Sequence, residues 1–222
     1  MAFEYAYDLS GCTYPVIKEF PIATDTNVSM GEVVALSAGL VVEVDADNDD
    51  PVLGVSAENH DGSSTGQTGT KIKIYCSPTA VFRLKNTYEA VADSGNATTF
   101  VDASYGTAGN DQFNGGAMKL IAKGAGSTLT LPLGSIVAIT DFATTTGTFT
   151  GTFTGKTTAG DKYLLFPPVG AYAFDLDDAA TALDLNSTGG EAIYVLENDM
   201  VNDYIFVKFR LHQLGAHPVA IA

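Results

Sequence analysis

Tryptophan is missing from this 222-residue chain, and cysteine, histidine and the basic residues are scarce, at 2, 3 and 11 copies against 26 Asp and Glu. Each shortage excludes something. Phosphate affinity comes from clustered Lys and Arg, so a formal charge of -15 argues against a nucleic-acid partner and equally against an anionic membrane surface. No apolar run approaches the roughly 18 residues that a helical membrane span needs. The opening "MAFEYAYDLSG" has neither a basic nor an apolar signal segment, which leads to the expectation of a protein made and kept soluble in a cytoplasm. In that compartment Cys12 and Cys76 are expected as reduced thiols, with Cys76 pointing into a core in phase with Ile72 and Ile74. His60, His212 and His217 offer little for acid–base catalysis, since each reads as a loop or surface residue. The spacing of the last two is wrong for a helical zinc pair.

What the chain does have is 45% hydrophobic and 17% charged residues, the balance of a folded globular protein. The dominant period is two. "TKIKIYC" sets Ile72, Ile74 and Cys76 against Lys71, Lys73 and Tyr75, "VFRLKN" sets Phe82 and Leu84 against Arg83 and Lys85, and "DYIFVKFRLHQL" repeats the alternation. Short strands punctuated at Gly31, Gly39, Pro51, Gly69 and Pro78 predict an all-β protein. The N-terminal domain is expected to be a small β-barrel or sandwich, and the second module mostly β with very little helix. The expected division is an arm at 1–15, a barrel at 16–95 and a β-rich module at 96–222 whose last strands pack back on the barrel. One helix is expected, in "DLDDAATAL" at 175–183, and "GTFTGTFTG" is expected to be a hairpin.

Chemistry is harder to find. Asp45, Asp47, Asn48, Asp49 and Asp50 read either as a calcium loop or as a solvated turn. Against the EF-hand pattern Asp50 stands where Gly belongs, Ser56 where an acid belongs, and neither flank is a helix, so the turn is the simpler reading. "GNDQFNGG" lacks the GK[ST] ending of a phosphate loop. The 26 acids permit many carboxylate pairs of the glycosidase kind, but sequence does not measure their separation. No enzyme signature, metal site or cofactor is expected.

The order of elements from Lys18 to Lys85 carries a resemblance. "IKEFPIATDTNVSMGEVVALSAGLVVEVDADNDDPVLGVSAEN" followed by "GTKIKIYCSPTAVFRLK" resembles the small β-barrel of the head decoration proteins of tailed bacteriophages, also called capsid cement or auxiliary capsid proteins. "FNGGAMKL", "GSIVAITDFATTTGTFT" and "GDKYLLFPP" are similar to β-modules of other phage virion proteins. The resemblance implies a non-enzymatic protein on the capsid exterior. Its partner would be the major capsid protein, and a homo-oligomer, a trimer by family precedent, would stabilise the expanded head. Gly31, Gly39, Gly54 and Pro78 are structural positions in that pattern. A virion module recognising host glycan is the alternative, although Trp, the usual sugar platform, is missing. A β-barrel hydrolase has no motif behind it, and a major capsid protein would need a long helix that is not seen.

Two groups of residues are candidates for partner contact. Phe3, Tyr5 and Tyr7 fall on one face of an extended segment, which reads either as an aromatic docking arm or as the first strand of the chain's own sheet. Lys71 with Lys73, and Arg83 with Lys85, are i, i+2 pairs on consecutive strands, expected to be neighbours in one sheet. They would either guide docking to an acidic rim or neutralise the protein's own acids.

Overall fold

The computed structural model describes residues 2–11, 14–44, 52–62, 70–170, 174–177, 180–186 and 193–209. Cys12, the acidic loop at 45–50, Arg210, His212 and His217 lie outside the described residues. The fold is all-β, as the alternation predicts. The first half contributes β1 (Glu4–Asp8), β2 (Ile17–Pro21), β3 (Val33–Ser37), β4 (Leu40–Glu43), β5 (Gly54–Ser56), β6 (Lys71–Tyr75) and β7 (Ala80–Lys85).

Strands β2, β6, β5, β3 and β4 form one antiparallel sheet in that order. Ile22, just past β2, bridges to Val41 in β4, and the Ala23 N–H donates to Val41 O at 3.1 Å, so the sheet closes on itself as a small barrel. Its interior is Ile22, Val28, Val34, Val41, Leu53, Ile72, Ile74 and Cys76. Full burial of an aliphatic side chain of this size stabilises by about 2 kcal/mol relative to exposure. The β3–β4 hairpin turns on Ala38 and Gly39, both at positive φ, as a two-residue loop matched to strand twist requires. Cys76 is a buried free thiol, its pKa raised by desolvation.

The middle of the chain supplies β8 (Glu89–Val91), β9 (Ser94–Gly95), β10 (Thr99–Val101), β11 (Ala117–Ala122), β12 (Ile136–Ala138), β13 (Asp141–Ala143), β14 (Thr148–Thr150) and β15 (Lys162–Phe166). These make two four-stranded sheets, β12-β11-β15-β8 and β13-β14-β10-β9. An aromatic contact joins them, Phe100 of β10 meeting Tyr163 of β15 edge-on at 5.1 Å between centroids, and within the second sheet Phe142 lies 4.7 Å from its partner Phe149. Because β8 and β9 precede residue 96 yet pair with β15 and β10, strand pairing runs across the expected boundary.

The "GTFTGTFTG" doublet departs from expectation. Its first copy is β14, whose hairpin partner is β13, while the second copy leaves the ladder and still buries Phe153. A Cβ at Gly151 would come within 2.8 Å of Ala138 O, so the chain passes there by close backbone approach.

The last elements are β16 (Asp175–Leu176), β17 (Leu183–Asp184), β18 (Ile193–Asp199) and β19 (Tyr204–Phe209). The expected helix at 175–183 is instead the β16–β17 hairpin. The Asp177 carboxylate accepts from the Thr181 and Ala182 N–H groups, each within 2.8 Å, and so competes successfully with helical hydrogen bonding.

Strand β7 sits inside a further four-stranded sheet, β1-β7-β19-β18. Segment 1–15 is therefore no free arm: β1 is an edge strand of the chain's own sheet, in register with β7 from Glu4↔Arg83 to Asp8↔Ala80. Phe3 is buried edge-on against Phe209 at 5.4 Å. Its N–H donates to Gly31 O at 3.0 Å, an approach that leaves no room for a side chain at Gly31. At the other end of the strand, Asp8 Oδ1 accepts from the Ser10 N–H, the Ser10 hydroxyl and the Thr79 hydroxyl at 2.6 to 2.8 Å. Burial alone would raise the Asp8 pKa, but these hydroxyl and amide donors outweigh it and hold the carboxyl at about 2.

Two outcomes are expected. Phe3→Ala should lower the unfolding free energy in urea by about 3–5 kcal/mol, the usual range for emptying a phenylalanine site, whereas a dispensable arm would leave it unchanged. The stabilisation from ionised Asp8 is fully present above its ordinary value of 3.8 and is lost as pH falls toward about 2. Wild type should therefore exceed Asp8→Asn in urea midpoint at neutral pH, with the gap closing across that acid window.

Candidate interaction face

One face of the β1-β7-β19-β18 sheet buries Phe82, Leu84, Ile205, Val207 and Phe209 in the core, so alternation sends Arg83, Lys85, Tyr204, Phe206 and Lys208 to the other. Register then sets these residues in rows. Lys85 lies opposite Tyr204, Arg83 lies between Glu4 and Phe206, and Lys208 lies opposite Tyr194. The Arg83 guanidinium is 4.8 Å and the Lys85 ammonium 5.1 Å from the Tyr204 ring centre, and the Lys208 ammonium lies 4.9 Å from that of Tyr194. Such contacts stabilise by about 0.5–1 kcal/mol each at exposed sites.

The expected site residues are divided by this arrangement. Phe3 and Tyr5 face inward, Tyr5 stacking on Tyr75 at 5.5 Å. A β-bulge between Tyr5 and Tyr7 breaks the alternation and turns Tyr7 outward, 40% exposed, toward Phe206 at 6.2 Å. The three aromatics thus do not share a face. Lys71 and Lys73 lie on β6 in the barrel and Arg83 and Lys85 on β7 in the other sheet, so the two pairs are not neighbours in one sheet. The turn around Pro78 passes from one sheet to the other.

Several of these cations have partners within the chain. Arg83 pairs with Glu4 at 2.9 Å, Lys73 with Glu58 at 3.3 Å, and Lys85 with Asp203 at 3.8 Å. Lys119 on β11 reaches the same Asp203 at 2.6 Å and the Met200 carbonyl at 2.9 Å. Two lysines from different sheets therefore clamp the β18–β19 turn. Asp199 braces that turn by accepting from Val201 and Asn202, and the Asn202 bonds lower its pKa. Tyr194, Tyr204, Phe206 and Lys208 complete the face and were readable from the period of two in "IYVLEND" and "YIFVKF" once those strands were placed.

Chemically the face offers rings interleaved with charges of both signs. A depression lined by Gly54, Tyr75, Pro78, Phe82 and Phe209 is too shallow to enclose a water molecule. Among the described residues no group of three or more His, Cys, Asp or Glu side chains could hold a metal ion. Phe149 and Phe153 are buried, so the threonine-rich stretch presents neither ring as a sugar platform. Comparison with known proteins finds no matching family model, no similar curated sequence and no similar solved structure.

Reversing Lys71 and Lys73 to Glu should lower the urea midpoint only slightly, because it breaks one exposed pair, Lys73 with Glu58, of a kind that contributes about 0–1 kcal/mol. Arg83→Glu with Lys85→Glu should destabilise more, since it sets like charges against Glu4 and Asp203 and removes both cations from Tyr204. Equal effects of the two double reversals would contradict this difference.

Proposed function

We propose that the chain is a structural virion protein of a tailed bacteriophage, one that binds the outside of the capsid, contacts the major capsid protein and stabilises the expanded head. What carries the reading is the stretch with the decoration-protein pattern, which from β2 to Cys76 closes as one barrel around its own core. Gly39 sits in its β3–β4 turn, and Gly54 lies so close to Tyr75 O that a side chain would collide there. An acidic chain suits an exterior position, away from genome phosphates. Many modest contacts repeated over a symmetric shell add through avidity, so no deep site is required. The face bearing Tyr7, Arg83, Lys85, Tyr204 and Phe206 is the candidate shell contact, since its interleaved rings and charges suit a protein surface.

Quantitative mass spectrometry and electron microscopy of purified particles test this directly. The expected result is a chain present in copy number comparable to the capsid subunits, as density on the outer shell, with particles lacking it bursting at lower temperature. Absence from particles, or confinement to a few copies at the tail, would overturn the reading in favour of a tail-associated or non-virion role.

A further inference from the structure

The stretch "GNDQFNGG" holds the one Asn–Gly step in the chain, Asn114–Gly115. Glycine has no side chain to shield its nitrogen, so this is the step at which an asparagine loses its amide most readily. The chemistry consumes only water. The Gly115 nitrogen gives up its proton to solvent base and attacks Asn114 Cγ. The Cγ–Nδ2 bond breaks, the amide leaves as ammonia, and water opens the resulting cyclic imide to aspartate or isoaspartate.

The fold opposes both reactants and product. The Gly115 N–H donates to Ile139 O at 3.0 Å, which holds the proton that must leave, and the Ile139 N–H donates to Gly116 O at 2.9 Å. Asn114 Nδ2 donates to Asp111 Oδ1 at 3.0 Å, so the side chain is tied back to the preceding turn. Asn114 Oδ1 is buried with no hydrogen-bond partner among the described residues. Deamidation would set a carboxylate there, beside that of Asp111, and a buried charge without a partner is costly. Isoaspartate would also lengthen the backbone just before Gly116, where a Cβ would already come within 2.5 Å of Phe166 O.

We propose that Asn114 is a deamidation site gated by the corner that residues 111–116 form with Ile139. It is silent while the corner is closed, it reacts when the corner opens, and its product keeps the corner from closing again. A transient local opening ahead of β11 is thereby converted into a permanent loosening. The reaction needs no partner, so it stands or falls separately from the proposed function.

Peptide mapping by mass spectrometry tests it, on the full-length chain held at mildly alkaline pH in buffer and in concentrated urea. Residue 114 should turn to aspartate and isoaspartate at least about tenfold more slowly in buffer, because reaction there waits on an opening that is rarely populated. Asp111→Gly suits the positive φ of 62° at that position but removes the side-chain tether. It should speed the reaction in buffer and leave the rate in urea unchanged. Asp111→Asn retains an acceptor and should react as wild type does. Wild-type chain already modified at Asn114, separated by its added charge, should unfold at lower urea than unmodified chain. Equal rates in buffer and urea would overturn the proposal. So would an Asp111→Gly chain that reacts as slowly as wild type, an Asp111→Asn chain that reacts as fast as Asp111→Gly, or a modified chain of undiminished stability.

Discussion

Everything in this molecule depends on the pairing of β7. A central strand must satisfy backbone donors and acceptors on both edges, since a buried unpaired group costs about 1–3 kcal/mol. β7 draws one partner, β1, from the beginning of the chain and the other, β19, from near its end. That double pairing fixes where the barrel stands relative to the aromatic sandwich. Asn86, at the exit of β7, consolidates the junction. Its N–H donates to Asp203 O at 2.7 Å, its side-chain amide to Leu165 O at 2.8 Å, and its side-chain carbonyl accepts from the Tyr88 N–H at 2.9 Å. One buried amide thus touches three parts of the chain, and such a residue specifies geometry as much as it stabilises it.

The same junction explains why the outer face of the sheet is balanced rather than basic. Three cations and three acids from distant parts of the chain meet on it: Arg83 and Lys85 from β7 and Lys208 from β19, with Glu4 from β1, Glu197 opposite Phe206 on β18, and Asp203 just ahead of β19. Placed side by side they match one another. What distinguishes the face is the interleaving of rings between the charges, with the Arg83 and Lys85 side chains lying against the Tyr204 ring.

Local pattern was legible in the sequence and long-range pairing was not. Ile72, Ile74, Phe82, Leu84, Ile205, Val207 and Phe209 are all buried as their alternation predicts, because a strand with one wet face leaves a period of two. The fate of Tyr7 could not be read, since a single-residue bulge reverses every side chain beyond it and leaves no mark in composition. Asp177 misled for a related reason. An acidic residue before alanines suits a helix start, yet the same carboxylate closes a turn when the flanking leucines, Leu176 and Leu183, find each other across a hairpin. The separation of the two basic pairs, Lys71 with Lys73 and Arg83 with Lys85, was equally hidden, because consecutive strands joined by a short turn are most often neighbours and here the turn leads into another sheet.

The distance in sequence between β1, β7 and β19 also has a meaning for synthesis. As the chain leaves the ribosome, the barrel and the sandwich can close from segments already made, whereas one edge of β7 stays open until β19 has emerged. Folding dominated by such remote contacts is slow, and an open edge invites pairing with other chains in the meantime. A truncated product would carry that open edge permanently. The fold therefore makes β19 the strand that covers this edge, and only a chain extending through it hides the edge from other chains.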